Sequence, residues 1–369
     1  MPDEKRVSGI VKLTIYPNSY ENKNKPSFRR PLNCILFTFA AILLINFTPS
    51  KAATRKGYSE YKTDTASHPH FDQIKQINAG VLNVGYAEQG PVNGQAVILL
   101  HGWPYDINSY AEVSGLLAAK GYHVIVPYLR GYGTTIFLSD QTPRNGQQSA
   151  FAVDIIELMD ALKIKKAIIG GFDWGARTAD IIAALWPERC QALVSVSGYL
   201  IGSQQVNEAP LPPKAELAWW YQFYFATERG RVGYAANTRD FNKLIWQTAS
   251  PQWHFDDATY EQTAKSFDNP DHVAIVINNY RWRLGLVNGE AKYNELEKRL
   301  AAAPPITVPA VTLEGEANGA PHPAPSAYAS KFKGKYAHHT IAGGVGHNLP
   351  QEASKAFADA IIEAAGFAK

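Results

Sequence analysis

Gly171-Phe172-Asp173-Trp174-Gly175 follows the apolar run Ala167-Ile168-Ile169 and precedes a helix-like stretch, Ala176 to Trp186. A small residue two places before and two places after a central side chain is the spacing of a nucleophile elbow. In that strained strand-to-helix corner the reactive group projects outward and only small flanking residues fit. The central residue here is a carboxylate. Aspartate attacking carbon forms an alkyl ester, so its targets are strained or activated C–O and C–halogen bonds rather than amides. An aspartate before a helix also serves as a plain N-cap, so the pentapeptide is read together with its neighbours.

Two glycine-containing segments sit where such an elbow needs them. His101-Gly102-Trp103-Pro104 follows the apolar run Ala96 to Leu100 and can aim the Trp103 amide at the oxygen that becomes negative when an ester at Asp173 is hydrolysed. The Trp174 amide, next to the nucleophile, is the second donor. Late in the chain, Gly343-Gly344-Val345-Gly346-His347 presents a histidine between a final strand and a final helix. Neutral imidazole activates water near neutral pH, and the order nucleophile before histidine suits this scaffold. His338 and His339 lie nearer the expected strand and read as structural.

The elements that must hold these groups alternate. Gln73 to Asn78 and Val81 to Tyr86 read as an opening hairpin about Ala79-Gly80. Buried-strand runs then alternate with helical patterns: Ala96 to Leu100, helix Ala111 to Lys120, His123 to Val126, helix Ala150 to Leu162, Ala167 to Ile169, helix Ala176 to Trp186, and Ala192 to Val196. The alternation resumes at Ala310 to Leu313 and His339 to Ile341, closing with a helix over Ala353 to Ala364. This predicts an α/β fold with a mostly parallel sheet covered by helices on both faces. Between them, Gly202 to Pro305 lacks the alternation and holds five of the eight tryptophans, as an inserted helical cap would. Pro210-Leu211-Pro212-Pro213 and Pro304-Pro305 bracket it.

The N-terminus differs in kind. Arg29-Arg30 precede an uncharged apolar run, Cys34 to Phe47, and Ser50-Lys51-Ala52 has a small-x-small cleavage pattern. This layout predicts a secretory signal and a secreted or periplasmic protein with no stable membrane association once the signal is removed. Residues 1–52 hold eight Lys/Arg and three Asp/Glu, so their loss takes the formal net charge from +3 to −2. A chain without a basic cluster lacks the electrostatic footprint of a nucleic-acid binder. Of two cysteines, only Cys190 lies outside this segment, which leaves no intrachain disulfide and no zinc-type spacing. The domain plan is a signal peptide and leader over 1–52, a polar leader over 53–69, a first core part over 70–201, a cap over 202–305 and a second core part over 306–369.

On His101-Gly102-Trp103-Pro104, Arg130-Gly131-Tyr132-Gly133, the elbow and Gly346-His347, the sequence resembles the epoxide hydrolase and haloalkane dehalogenase group of the α/β-hydrolases, over roughly residues 70–369. The resemblance implies Asp173 as nucleophile, His347 as base and Trp103 and Trp174 as oxyanion donors and substrate contacts. Epoxide hydrolases use two cap tyrosines on the epoxide oxygen. Tyr221-Gln222-Phe223-Tyr224-Phe225 and Asn279-Tyr280-Arg281-Trp282 resemble those segments, which nominates Tyr221 and Tyr280, with Gln222 and Tyr224 lining the substrate site. Ring opening develops alkoxide, which a phenol of ordinary pKa about 10 stabilises or protonates. The family's histidine-orienting acid usually stands where this chain has Asn318, and Glu316 is the nearby alternative. An amide orients imidazole without stabilising imidazolium, so ester hydrolysis is expected to suffer most. The reading is an epoxide hydrolase acting on an apolar small molecule without metal or organic cofactor. Its alternatives are a haloalkane dehalogenase, with the Trp174 indole holding halide, and a low-turnover binder that retains its adduct because of Asn318.

Overall fold

The computed structural model describes residues 69–368. The expected signal over 1–52, and all but the last residue of the leader over 53–69, lie outside the described residues. The chain opens with β1 (Lys75–Ala79) and β2 (Leu82–Gln89), an antiparallel hairpin with Ala79 opposite Leu82. Gly80 takes φ +57° in its turn, a conformation glycine adopts without a Cβ clash. β3 (Gln95–Leu100), α1 (Ala111–Ala118), β4 (Tyr122–Pro127), the two-residue β5 (Ile136–Phe137), α2 (Gln148–Ala161), β6 (Ala167–Gly171), α3 (Trp174–Leu185) and β7 (Cys190–Val196) follow.

Eight helices then intervene: α4 (Gln204–Asn207), α5 (Pro213–Ala218), α6 (Trp220–Ala226), α7 (Glu228–Ala236), α8 (Thr238–Ala249), α9 (Asp257–Ala264), α10 (His272–Arg283) and α11 (Asn294–Ala301). The core resumes with β8 (Ala310–Gly315), α12 (Pro325–Tyr328), β9 (Tyr336–Ile341), α13 (Leu349–Glu352) and α14 (Ser354–Phe367). Among the described residues the strands form one sheet in the order β1-β2-β4-β3-β6-β7-β8-β9, with β5 on β2. Pairing is parallel from β4 through β9 and antiparallel around β2.

The central strands are buried along their length, Val97 to Leu100 and Ala167 to Gly171 among them, because helices cover both faces; α1 packs on α14 and α2 on α3. That is why they read as unbroken apolar runs. β5 has no counterpart in the sequence reading, since two residues are too few to carry a period. No helix among the described residues is long and apolar enough to cross a membrane.

The Arg130 motif holds the β4 exit. Its buried guanidinium donates through Nε and Nη2 to both oxygens of Asp154 on α2, each at 2.6 Å, and through Nη1 to the Asn145 carbonyl at 2.6 Å. Such a pair matters most when one half is removed, because an uncompensated charge is left in the core. Asp154→Ala is expected to lower unfolding free energy by about 3–5 kcal/mol. Urea unfolding measures it, and a change within about 0.5 kcal/mol, the usual range for surface substitutions, would contradict the assignment.

Candidate active site

Asp173 occupies the corner between β6 and α3 with φ 53° and ψ −123°. The small neighbours are a packing requirement: a Cβ on Gly175 would meet the Leu100 carbonyl oxygen at 1.9 Å, and one on Gly171 the Gly175 oxygen at 2.3 Å. A Cβ on Gly102 would lie 2.3 Å from Asp173 Oδ1, so the loop after β3 also needs glycine to bring its backbone to the carboxylate. The Trp103 N–H donates to Asp173 Oδ1 at 2.8 Å, and the Trp174 N–H also bonds the carboxylate. His101 is buried and anchors this loop. Its Nε2 accepts the Leu129 N–H at 3.1 Å, and burial pushes its pKa down to about 4.

His347 Nε2 lies 3.3 Å from Asp173 Oδ2. On the other side of the imidazole, Nδ1 donates to Asn318 Oδ1 at 3.2 Å. The loop is fixed from the cap: Ser250 Oγ accepts the His347 N–H at 2.9 Å and donates to buried Glu352 at 2.7 Å, while Glu352 accepts the Gly346 N–H at 2.6 Å. Glu316 does not reach the histidine. It is exposed, and its carboxylate accepts the Gly343 N–H at 3.0 Å.

Tyr221 on α6 and Tyr280 on α10 meet across the cavity above Asp173, with ring centroids 5.3 Å apart at 80°. Burial, and then the negative charge of Asp173, raise the Tyr221 phenol; burial, then Tyr221 and Asp173, raise that of Tyr280. Both therefore stay protonated donors. Burial also raises Asp173, but the hydrogen bond and charge of His347, the charge of Arg177 and the Trp174 amide outweigh it and leave the carboxyl below its ordinary range. Gln222 lines the cavity. Tyr224 does not: its ring stacks on Phe241 at 6.0 Å, inside the cap. Trp103 lines the cavity, whereas the Trp174 ring packs behind it against Phe151, Tyr132 and Tyr280.

The α/β hydrolase fold family matches residues 95–265. Epoxide hydrolase B of Mycobacterium tuberculosis is 32% identical over 162 residues, 39% of this chain and 42% of that protein, so the chain spans about two fifths of that relative's length. A haloalkane dehalogenase of Mycolicibacterium paratuberculosis is 26% identical over 58% of this chain and 70% of its own. A crystal structure of a provisionally named epoxide hydrolase from Klebsiella pneumoniae subsp. pneumoniae is 68% identical, covers 80% of this chain and 98% of its own, and superposes with TM-score 0.80. The chain belongs to the α/β-hydrolase family, in the group of the epoxide hydrolases and haloalkane dehalogenases.

Two features of this hydrolase's site escape a reading of its sequence. Asn318 is backed by an acid: its Nδ2 donates to buried Glu314 Oε1 at 2.7 Å and to Ser197 Oγ at 3.3 Å. That contact fixes the amide, because only Nδ2 can face a carboxylate, and so turns Oδ1 toward His347. Glu314 stands within β8, four residues from Asn318, where a sequence reading sees only a buried strand residue. The cavity, of about 720 Å³, is also not uniformly apolar: Arg177 and Arg283 share its wall with the aromatic residues.

The network predicts a coupling. Asn318→Asp sets a carboxylate against Glu314 and should destabilise the hydrolase, whereas adding Glu314→Gln restores a donor–acceptor pair. A double-mutant cycle by urea unfolding is expected to give a coupling of about 0.5–3 kcal/mol, the range for contacting partners. Additive effects would mean that the two side chains do not meet.

Proposed function

We propose that this hydrolase opens epoxides to vicinal diols through an ester on Asp173. The observation that carries the reading is the division of labour at one carboxylate: Oδ1 is held by the Trp103 amide, Oδ2 faces the cavity beside His347, and two protonated phenols stand across from it. Oδ2 attacks a ring carbon, the C–O bond breaks, and the alkoxide takes a proton from Tyr221 or Tyr280. Water then adds to the ester carbonyl as His347 Nε2 accepts its proton. The developing oxyanion at Oδ1 lies within the Trp103 and Trp174 N–H groups; collapse breaks the bond from Cγ to the ester oxygen, which takes the proton of the re-formed carboxyl and leaves as the diol. The proton on His347 returns to the phenolate, so the cycle balances with one water consumed.

Asn318 orients the imidazole while Glu314 supplies negative charge one amide farther off. That arrangement supports turnover, with ester hydrolysis the slower half. The names of the similar proteins support the epoxide assignment. A halide role for the indoles has less support: Trp103 Nε1 is engaged by Tyr234 Oη at 2.9 Å, and the Trp174 ring is outside the cavity wall.

Asp173→Ala should abolish both diol and covalent adduct mass, and Tyr221→Phe or Tyr280→Phe should slow ring opening by roughly 10- to 1000-fold, as for loss of one transition-state donor. Diol formation surviving in the Asp173 variant, or normal opening in both phenylalanine variants, would remove the mechanism.

We also propose export directed by residues 1–52. Sequencing of the native protein should find a mature N-terminus near Ala53; an intact Met1 in the cytoplasm would refute it.

A further inference from the structure

Two positive charges stand one helical turn from the groups proposed to react. Arg177 follows Asp173 by four residues on α3, and Arg283 follows Tyr280 by three at the end of α10, so each lies on the face of its helix that carries the reacting side chain. Both line the cavity. Arg177 Nε donates to the Leu200 carbonyl at 3.1 Å, which fixes the guanidinium and leaves the rest of its donor fork uncommitted. The Arg283 guanidinium lies over the rings of Tyr280 and Trp219, 5.7 and 5.6 Å from their centroids.

Among the described residues neither arginine forms an ion pair. The other ionisable side chains on the wall, the tyrosines aside, are Asp173, Glu208, Glu216 and His347. Of these, Glu216 accepts the Leu211 N–H at 2.7 Å and Asp173 is held by Trp103 and His347. Burial lowers Arg177 to a pKa of about 10, and the charge of Arg283 adds to the effect. The two cations thus repel each other in a partly desolvated wall, and the charge of Asp173 offsets only part of that cost. A neutral, wholly apolar substrate would leave that cost in place. An anion between them would relieve it, and a carboxylate matches the planar donor fork of arginine.

We propose that Arg177 and Arg283 form a subsite for a substrate carboxylate, so that the epoxide opened here carries an acid group beside its reacting ring and an apolar portion against the cap aromatics. This rests on the epoxide reading above and replaces an apolar substrate with an amphipathic one.

The test compares phenylglycidate with its primary amide, which keeps shape and reactive ring but removes the charge. At low salt the intact enzyme is expected to favour the acid in kcat/KM by roughly 10- to 100-fold, the range for hydrogen bonds to a charged partner. The preference should fall as salt rises. Arg283→Gln should reduce the acid-to-amide ratio at least several-fold, and Arg177→Lys, which keeps charge but loses the fork, should reduce it less. Calorimetry with unreactive cinnamate and cinnamamide reads the subsite without turnover; cinnamate should bind more tightly, and Arg283→Gln should erase the difference. Equal kcat/KM for acid and amide, or a ratio unmoved by Arg283→Gln, would overturn the subsite. If neither epoxide is opened but cinnamate still binds in an Arg283-dependent way, the subsite stands and the epoxide reading falls. If cinnamate and cinnamamide bind alike, the subsite falls whatever is turned over.

Discussion

The positive φ of Asp173 is the constraint from which the site is built. An L-residue in such a conformation costs of order 1–3 kcal/mol, and only a surround that leaves the backbone no alternative keeps it there. Here that surround is the buried centre of the sheet: β3 and β7 flank β6, and the Leu100 carbonyl leaves no room for a side chain at Gly175. The strain lifts the carboxylate out of the strand, beyond the carboxyl ends of the parallel strands. The loops after β3 and β9 bring Trp103 and His347 to it, and the loop after β8 brings Asn318 to His347. Ligands of open α/β sheets collect in that crevice for the same reason.

Placement then sets charge. Burial by itself would favour a neutral Asp173, but His347, Arg177 and the flanking amide favour the carboxylate, and the carboxylate in turn helps to keep the cap phenols protonated. One ionised oxygen acid facing two protonated ones is the pairing that attack on carbon with protonation of a leaving oxygen requires. The cap takes part in this electrostatic arrangement as well as covering it, since it supplies both phenols, Arg283 and, through Ser250, the anchor of the His347 loop.

The support of the histidine is split between two side chains. Asn318 provides direction and Glu314 provides charge, and the amide between them passes orientation more faithfully than it passes electrostatic stabilisation. Glu316, nearer to Asn318 in the chain, lies beyond the end of β8, where it is exposed and its carboxylate accepts the Gly343 N–H.

The α/β order of elements, the elbow at Asp173, the His-Gly loop and the late histidine were legible in the chain before folding, because each depends on local steric rules or on periodicity that a run of residues displays directly. The cap was legible as a break in that periodicity, and its tyrosines through a resemblance. The remaining features depend on which side chains the folded chain brings together. Ser250 on the His347 loop and Arg177 brought to one wall with Arg283 are separated by about a hundred residues in sequence, and even Glu314, four residues before Asn318, meets it only because the chain turns after β8. No spacing rule connects such positions. Packing of the cap on the sheet sets which of them meet, and burial sets what their charges then do.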